Sequence, residues 1–175
     1  MTELPADPRI AGDGLVLRRW EIADIDALVE IWQDPDLRRR FAIPTTTAPT
    51  IEVFIRDAGR SWTAGAAAWF AVVDPGTDEI LGGCDLSDLD TDGPADVGYW
   101  VAAGHRGQHV AVRAVTALLD WARHDLGIDA FALELEPDNA ASIVVATTLG
   151  FAPDGTERRD RSTTPARTLA RYRLD

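Results

Sequence analysis

Apolar residues recur along this chain with two periods, and the alternation between those periods sketches a fold. Residues 15–20 read as a strand, after which Ile22, Ile25, Leu28, Val29 and Trp32 recur at helical spacing. A second helix is predicted over 51–62, with Pro49 and Thr50 as its start signals. Residues 67–73 and 79–85 are strand-like and flank the turn sequence 74–78, which predicts a hairpin. A further strand, 96–102, follows the turn at Asp92, Gly93 and Pro94. From 108 to 124 the apolar positions Ala111, Ala114, Val115, Leu118, Trp121 and Ala122 mark the most regular helix, ended near Gly127. Residues 131–136 alternate, with Leu133 and Leu135 on one face and Glu134 and Glu136 on the other. Asp138 or Asn139 caps another helix that stops at Leu149 and Gly150, and strands near 151–159 and 168–174 follow. This order predicts an α/β domain with a mixed central sheet of about seven strands flanked by about four helices.

Composition narrows the picture. At roughly 150 residues per domain, a chain of 175 residues is expected to form one domain spanning residues 1–175. The longest apolar run, 64–73, is far short of the roughly 20 residues a membrane helix needs. The first twenty residues carry Glu3, Asp7, Arg9, Asp13, Arg18 and Arg19 with no apolar block between them. With a single cysteine, Cys84, best read as a small core hydrophobe, a cytoplasmic location is expected and no membrane partner. The formal charge of -12 argues against nucleic acid and favours a cationic or amine-bearing partner.

Three stretches invite chemical readings. Asp88, Asp90 and Asp92 with Gly93 match the opening of an EF-hand loop, but the twelfth position is Tyr99 and the flanks read as strands. A solvated acidic turn, or an acidic lip attracting an amine, fits better. His105 and His109 stand four apart, yet Arg106 occupies the place of a zinc hydrolase's general base, so no metal site is expected. What this stretch does offer is a strand, a glycine-containing turn and a helix whose first amides lack intrahelical partners, which suits a phosphate. The third stretch, Asp138 to Ser142, reads by itself as ordinary helix capping.

Taken together, three blocks resemble the GNAT superfamily of acetyl-coenzyme A dependent N-acetyltransferases, and within it the Rim-type branch. They are ADVGYWV at 95–101, RGQHVA at 106–111, and NAAS at 139–142 with LGF at 149–151. The resemblance implies a single GNAT-like domain with acetyl-coenzyme A as cosubstrate. It places the pantetheine along Trp100, Val101 and Ala102. The pyrophosphate would rest on the turn of Arg106, Gly107, Gln108, His109, Val110 and Ala111, and Asn139 would contact the coenzyme. His109 stands where the family pattern has glycine, and Arg113 replaces a frequent glutamate; either could add a cationic contact to phosphate.

The chemistry sets its own demands. Deprotonating an alkyl ammonium of pKa near 10.4 at pH 7 costs about 4.6 kcal/mol. The thiolate leaving group benefits from an acid and the tetrahedral oxyanion from a fixed N–H donor. The resemblance implies Asp96 as the base, Ser142 as the acid and a backbone N–H around Trp100 or Val101 as the oxyanion donor. It implies transfer to a primary amine of a small molecule or protein N-terminus by direct attack in a ternary complex. A GNAT-fold binding module or sensor with an altered coenzyme loop stays open as the alternative, as does a homodimer.

Overall fold

In the computed structural model, which describes residues 3–41, 46–160 and 166–175, the strands form one sheet of eight in the order β1-β2-β3-β4-β5-β6-β8-β7. They are β1 Ile10–Gly12, β2 Leu15–Arg19, β3 Ala68–Val73, β4 Ile80–Ser87, β5 Ala95–Val101, β6 Phe131–Leu135, β7 Ala152–Asp160 and β8 Arg167–Leu174. The helices are α1 Ile25–Ile31, α2 Pro35–Arg40, α3 Ala48–Ala64, α4 Val110–Trp121 and α5 Ala140–Thr148. The predicted mixed α/β sheet is thus observed, with two short elements added. β1 has three residues and α2 six, too few for either to show a hydrophobic period. Local chemistry makes α2 a helix: Asp34 accepts the amides of Asp36 and Leu37, and Pro35 brings a φ already suited to the first turn.

Two apolar layers follow from strand alternation. On one face Leu17, Phe70, Val72, Cys84, Leu86 and Val97 pack against Val115 and Leu118 of α4 and Ala146 of α5. Burying each such large side chain contributes about 1.5–3 kcal/mol. On the other, Trp20, Ala71 and Val73 meet Leu28 of α1 and Ile51, Ile55 and Ala58 of α3. The helix expected from 108 begins only at Val110, and after Trp121 it widens into a π turn that ends at Gly127 in the left-handed region, φ 69°. Among the described residues no helix is long and apolar enough to cross a membrane.

The central strands create the opening. β5 runs antiparallel to β4 in unbroken register from Gly82 opposite Val101 to Ser87 opposite Asp96. It runs parallel to β6, but the two pair only at Ala95 with Phe131 and Asp96 with Ala132. Beyond Asp96 they diverge.

Candidate active site

Strand geometry decides what faces that divergence. Ala95 N–H donates to Ala130 O at 3.0 Å, toward β6, whereas Ala102 N–H donates to Leu81 O at 2.9 Å, toward β4. Because backbone groups alternate sides along a strand, the amides of Val97, Tyr99 and Val101 point into the gap while that of Trp100 points to β4. Of the two oxyanion donors considered from the sequence, only Val101 is aimed into the opening. The gap widens into a cleft of about 760 Å³. Its lining includes Trp100 and Val101 from β5, Arg106, Gly107 and His109 from the turn, Val110 and Ala111 from α4, and Asn139 and Ser142 from α5. Ala102 is buried behind β5, and Gln108 turns back to Gly104 O at 3.1 Å, so neither side chain lines the cleft.

The turn into α4 has the shape of an anion site. Gly107 has φ 74° and His109 has φ 57° with ψ 18°, both left-handed. A non-glycine residue there costs about 1–2 kcal/mol, which accounts for the family's glycine at this position. His109 nevertheless adopts the glycine geometry, and its exposed ring makes no capping hydrogen bond to α4. Arg113 is committed to holding the loop, donating to Asp13 O at 2.7 Å and Gln108 O at 3.3 Å. Arg106 donates to Val101 O at 3.3 Å and pairs with Asp34 at 3.2 Å, tying the turn to the start of α2. Burial opposes charge on Asp34, yet the Leu37 amide and Arg106 hold its carboxyl below the usual range.

Asn139 is the N-cap of α5. Its Oδ1 accepts from Ser142 N at 3.3 Å and its Nδ2 donates to Ser142 Oγ at 2.7 Å, so the cap also fixes the serine side chain. Asp96 lies elsewhere, at the neck where β5 and β6 still pair, and its Oδ1 accepts from Arg171 at 3.2 Å. Burial raises its pKa, Arg171 works the other way, and the carboxylates of Asp88 and Glu134 add to the rise. The candidate acid, on α5, therefore lines the cleft, while the candidate base, on β5, does not.

Two features escaped the sequence. Asp85, on β4 opposite Gly98, shares the Asp96 face and has no hydrogen bond or ion pair to any described residue. A Cβ at Gly98 would fall 2.3 Å from Asp85 Oδ1, so the glycine is what makes room for the carboxylate. Burial, reinforced by Asp96, pushes the Asp85 pKa up to about 7. Beside it the Trp100 indole lies over Gly83, where a Cβ would meet Nε1 at 2.7 Å. Trp100 stacks on Trp20, with centroids 6.1 Å apart, and meets Trp32 edge-on. The second feature is a cluster of arginines around one carboxylate. Arg39 and Arg40 of α2 and Arg167 of β8 converge on the buried Glu136 at 3.2, 3.0 and 3.2 Å. Glu134, on the same strand face as Glu136, pairs with Arg158.

The remaining chemical readings resolve simply. The acidic turn after β4 is flanked by strands, and Thr91 N–H closes it onto Asp88 O. His105 pairs with Glu79, and His124 Nδ1 lies 2.7 Å from Asp120 O within its own helix. Burial raises the Cys84 thiol pKa, as suits a core residue.

A sequence profile described as acetyltransferase (GNAT) domain matches residues 14–152. The uncharacterized N-acetyltransferase p20 of Bacillus licheniformis is 30% identical over 143 residues, covering 81% of this chain and 80% of its own. Mycobacterium smegmatis RimJ, solved with CoA-disulfide, superposes with a TM-score of 0.82 at 17% identity, over 96% of this chain and 86% of that one. RimL, a ribosomal L7/L12 alpha-N-protein acetyltransferase solved with coenzyme A, gives 0.80 at 18% identity, over 95% and 97%. At such identities the structural likeness speaks for the fold.

Proposed function

Since the chain belongs to the GNAT acetyltransferase family, whose acyl donor is acetyl-coenzyme A, we propose that it is a single-domain N-acetyltransferase moving an acetyl group to a primary amine by direct attack in a ternary complex. The carrying observation is the divergence of β5 from β6 after Asp96, which aims Val97, Tyr99 and Val101 amides into a cleft that ends on the open N-terminus of α4. An extended amide-bearing pantetheine matches that edge, and the pyrophosphate matches the amides at Gly107 to Ala111. The binding-module alternative rested on His109; because His109 keeps the turn's left-handed geometry, its presence leaves the anion site formed.

In this reading Val101 N–H receives the oxyanion and Ser142, fixed by Asn139, serves the leaving sulfur. The acceptor approaches on the carboxylate face of β5, where Asp96 takes the proton directly or through water. No covalent enzyme intermediate is needed, so positioning supplies much of the rate. A small-molecule amine or a protein N-terminus suits an acidic chain, and RimL's activity on a ribosomal protein N-terminus favours the peptide class.

Calorimetry with acetyl-coenzyme A, followed by an amine and peptide screen for thiol release, tests the reading. Absence of binding at millimolar concentration would sink it. Asp96→Asn should lower kcat by about 10²- to 10⁴-fold with coenzyme affinity nearly unchanged. Normal turnover in that variant would move the base elsewhere, with Asp85 next.

A further inference from the structure

Aromatic side chains gather on the face of the sheet that carries α1 and α3. Trp69 of β3, Phe54 of α3, Trp32 at the end of α1 and Trp100 of β5 follow one another edge to face, with ring centroids 5.6, 4.9 and 6.3 Å apart. Trp20 is buried behind them, 5.9 Å from Phe54 and 6.1 Å from Trp100, while the other four rings are partly exposed. The two ends of this arc flank one carboxylate. Trp69 stands opposite Asp85 across β3 and β4, and Trp100 lies over Gly83, on the same face of β4 as Asp85. At about 3.3 Å per residue along a strand, the seat of the indole and the carboxylate are roughly 7 Å apart. Two glycines keep this corner open: Gly83 seats the Trp100 ring and Gly98 leaves room for Asp85, each where a Cβ would collide. Asp85 meets no hydrogen-bond donor among the described residues and keeps some contact with water. Core packing accounts for Trp20, but not for half-covered rings around an unpaired carboxylate, an arrangement whose desolvation cost a cation offsets. Gly98 and Trp100 also line the cleft, so the corner opens toward the place proposed for the thioester.

We propose that this corner is the specificity pocket for the acceptor and that it takes a primary ammonium one or two carbons from an aromatic ring, with Asp85 binding the ammonium and the ring lying in the arc between Trp69 and Trp100. Ring-on-ring contact adds to apolar burial, and the faces of the indoles also attract the cation. An arylalkylamine has this spacing, and so has a peptide whose first residue is aromatic. The assignment rests on the acetyltransferase reading above for what becomes of the amine, and it supplies the substrate class which that reading leaves open.

Calorimetry on the full chain with coenzyme A present measures binding of phenethylamine beside two compounds that each lack one half of it. At pH 8 Asp85, with its pKa of about 7, is charged and the amine is an ammonium. Ethylamine lacks the ring and phenethyl alcohol lacks the charge, and each should bind at least about tenfold more weakly than phenethylamine. Asp85→Asn should weaken phenethylamine by about tenfold or more and leave phenethyl alcohol within about twofold, a split that a general disturbance of the fold would not give. Trp32→Leu should weaken both ring-bearing compounds by about threefold or more and ethylamine little; should that variant not fold, the ethylamine comparison still tests the ring. Acetyl transfer to phenethylamine against ethylamine, and to phenylalanyl-alanine amide against alanyl-alanine amide, then distinguishes the sources, the pair with the higher kcat/KM telling free amine from N-terminus. Failure of phenethylamine to bind at millimolar concentration, equal binding of ethylamine, or unchanged phenethylamine affinity in Asp85→Asn overturns the pocket, and the acetyltransferase reading stands if acetyl-coenzyme A binds. Phenethylamine binding that depends on Asp85, in a chain that fails to bind acetyl-coenzyme A, supports the pocket and overturns the transfer reading alone.

Discussion

Asp85→Asn should stabilise the protein, and by an amount that grows with pH. The carboxyl sits on β4 without a partner among the described residues, and burial followed by the Asp96 charge brings its pKa to about 7. In the unfolded chain an aspartate titrates near 3.9. Between those values the folded state binds more protons than the unfolded state. This group's contribution to stability is therefore full below about pH 4, falls as pH rises toward 7, and stays low above it. Three pH units at 1.36 kcal/mol each set an upper bound of roughly 4 kcal/mol. Asp85 keeps some contact with water, and screening reduces the figure to about 1–3 kcal/mol.

Asparagine has the same shape and no charge, so the variant lacks this term at every pH. For a chain of this length 1 kcal/mol moves Tm by about 2–4 °C. Thermal unfolding followed by circular dichroism should then show variant and wild type nearly coincident at pH 4–5. At pH 8 the variant should melt about 2–12 °C higher. Carboxylates not coupled to Asp85 are common to both proteins and cancel in the difference, while Asp96, whose charge Asp85 repels, is relieved by the substitution and adds to it in the same direction. A pH-independent difference, or a wild type that melts higher at pH 8, would refute the claim that Asp85 is held charged against its surroundings.

Three further outcomes are expected. His109→Gly should release the left-handed strain at the α4 cap and raise Tm by about 2–4 °C, measured by thermal unfolding. Gly98→Ala should destabilise by about 1–3 kcal/mol in urea titrations, since its Cβ would lie 2.3 Å from Asp85 Oδ1, and adding Asp85→Ala should recover most of the loss. Glu136→Gln should cost about 1–3 kcal/mol, because Arg39, Arg40 and Arg167 lose the charge they share; an amine KM that rises more than coenzyme affinity falls would tie α2 to the acceptor side.

Elements with a full hydrophobic period, such as β3, α4 and β6, stand in the structure within a few residues of where the pattern puts them. The misses have physical causes. β1 and α2 are shorter than one readable repeat, and the start of α3 lies before Ile51 because Pro49 falls inside its first turn rather than ahead of it. The turn, the helix start and the Asn139 cap with Ser142 three residues on, which we propose hold the coenzyme, were legible as structure because they are local. The proposed acceptor side was not, because it is made by register. Asp85 gains its meaning from standing opposite Gly98 across a strand pair, and Trp100 from lying over Gly83. A glycine inside an otherwise bulky strand, as in VGYW, was the one available signal of a close approach there.

How this acidic chain treats its inward carboxylates separates the site from the scaffold. Asp24 is buried with Arg18, whose two nitrogens reach it at 2.8 and 2.9 Å. Glu136 has its three arginines, Asp160 accepts from Arg167 at 2.9 Å, and Glu134 has Arg158. Each pairing offsets the desolvation that burial imposes on a charge. Asp85 departs from that pattern, although an arginine-rich chain has the means to supply a partner. Asparagine at 85 would satisfy the backbone and the hollow over Gly98 equally well, so the fold does not require the carboxylate. A group that lowers stability, lacks a counterion and shares a strand face with Asp96 matches what an incoming ammonium needs, namely negative charge not already neutralised. Arg171 already meets Asp96 on that face, and the counterion that Asp85 lacks is, in the proposed reading, the one a cationic acceptor would bring.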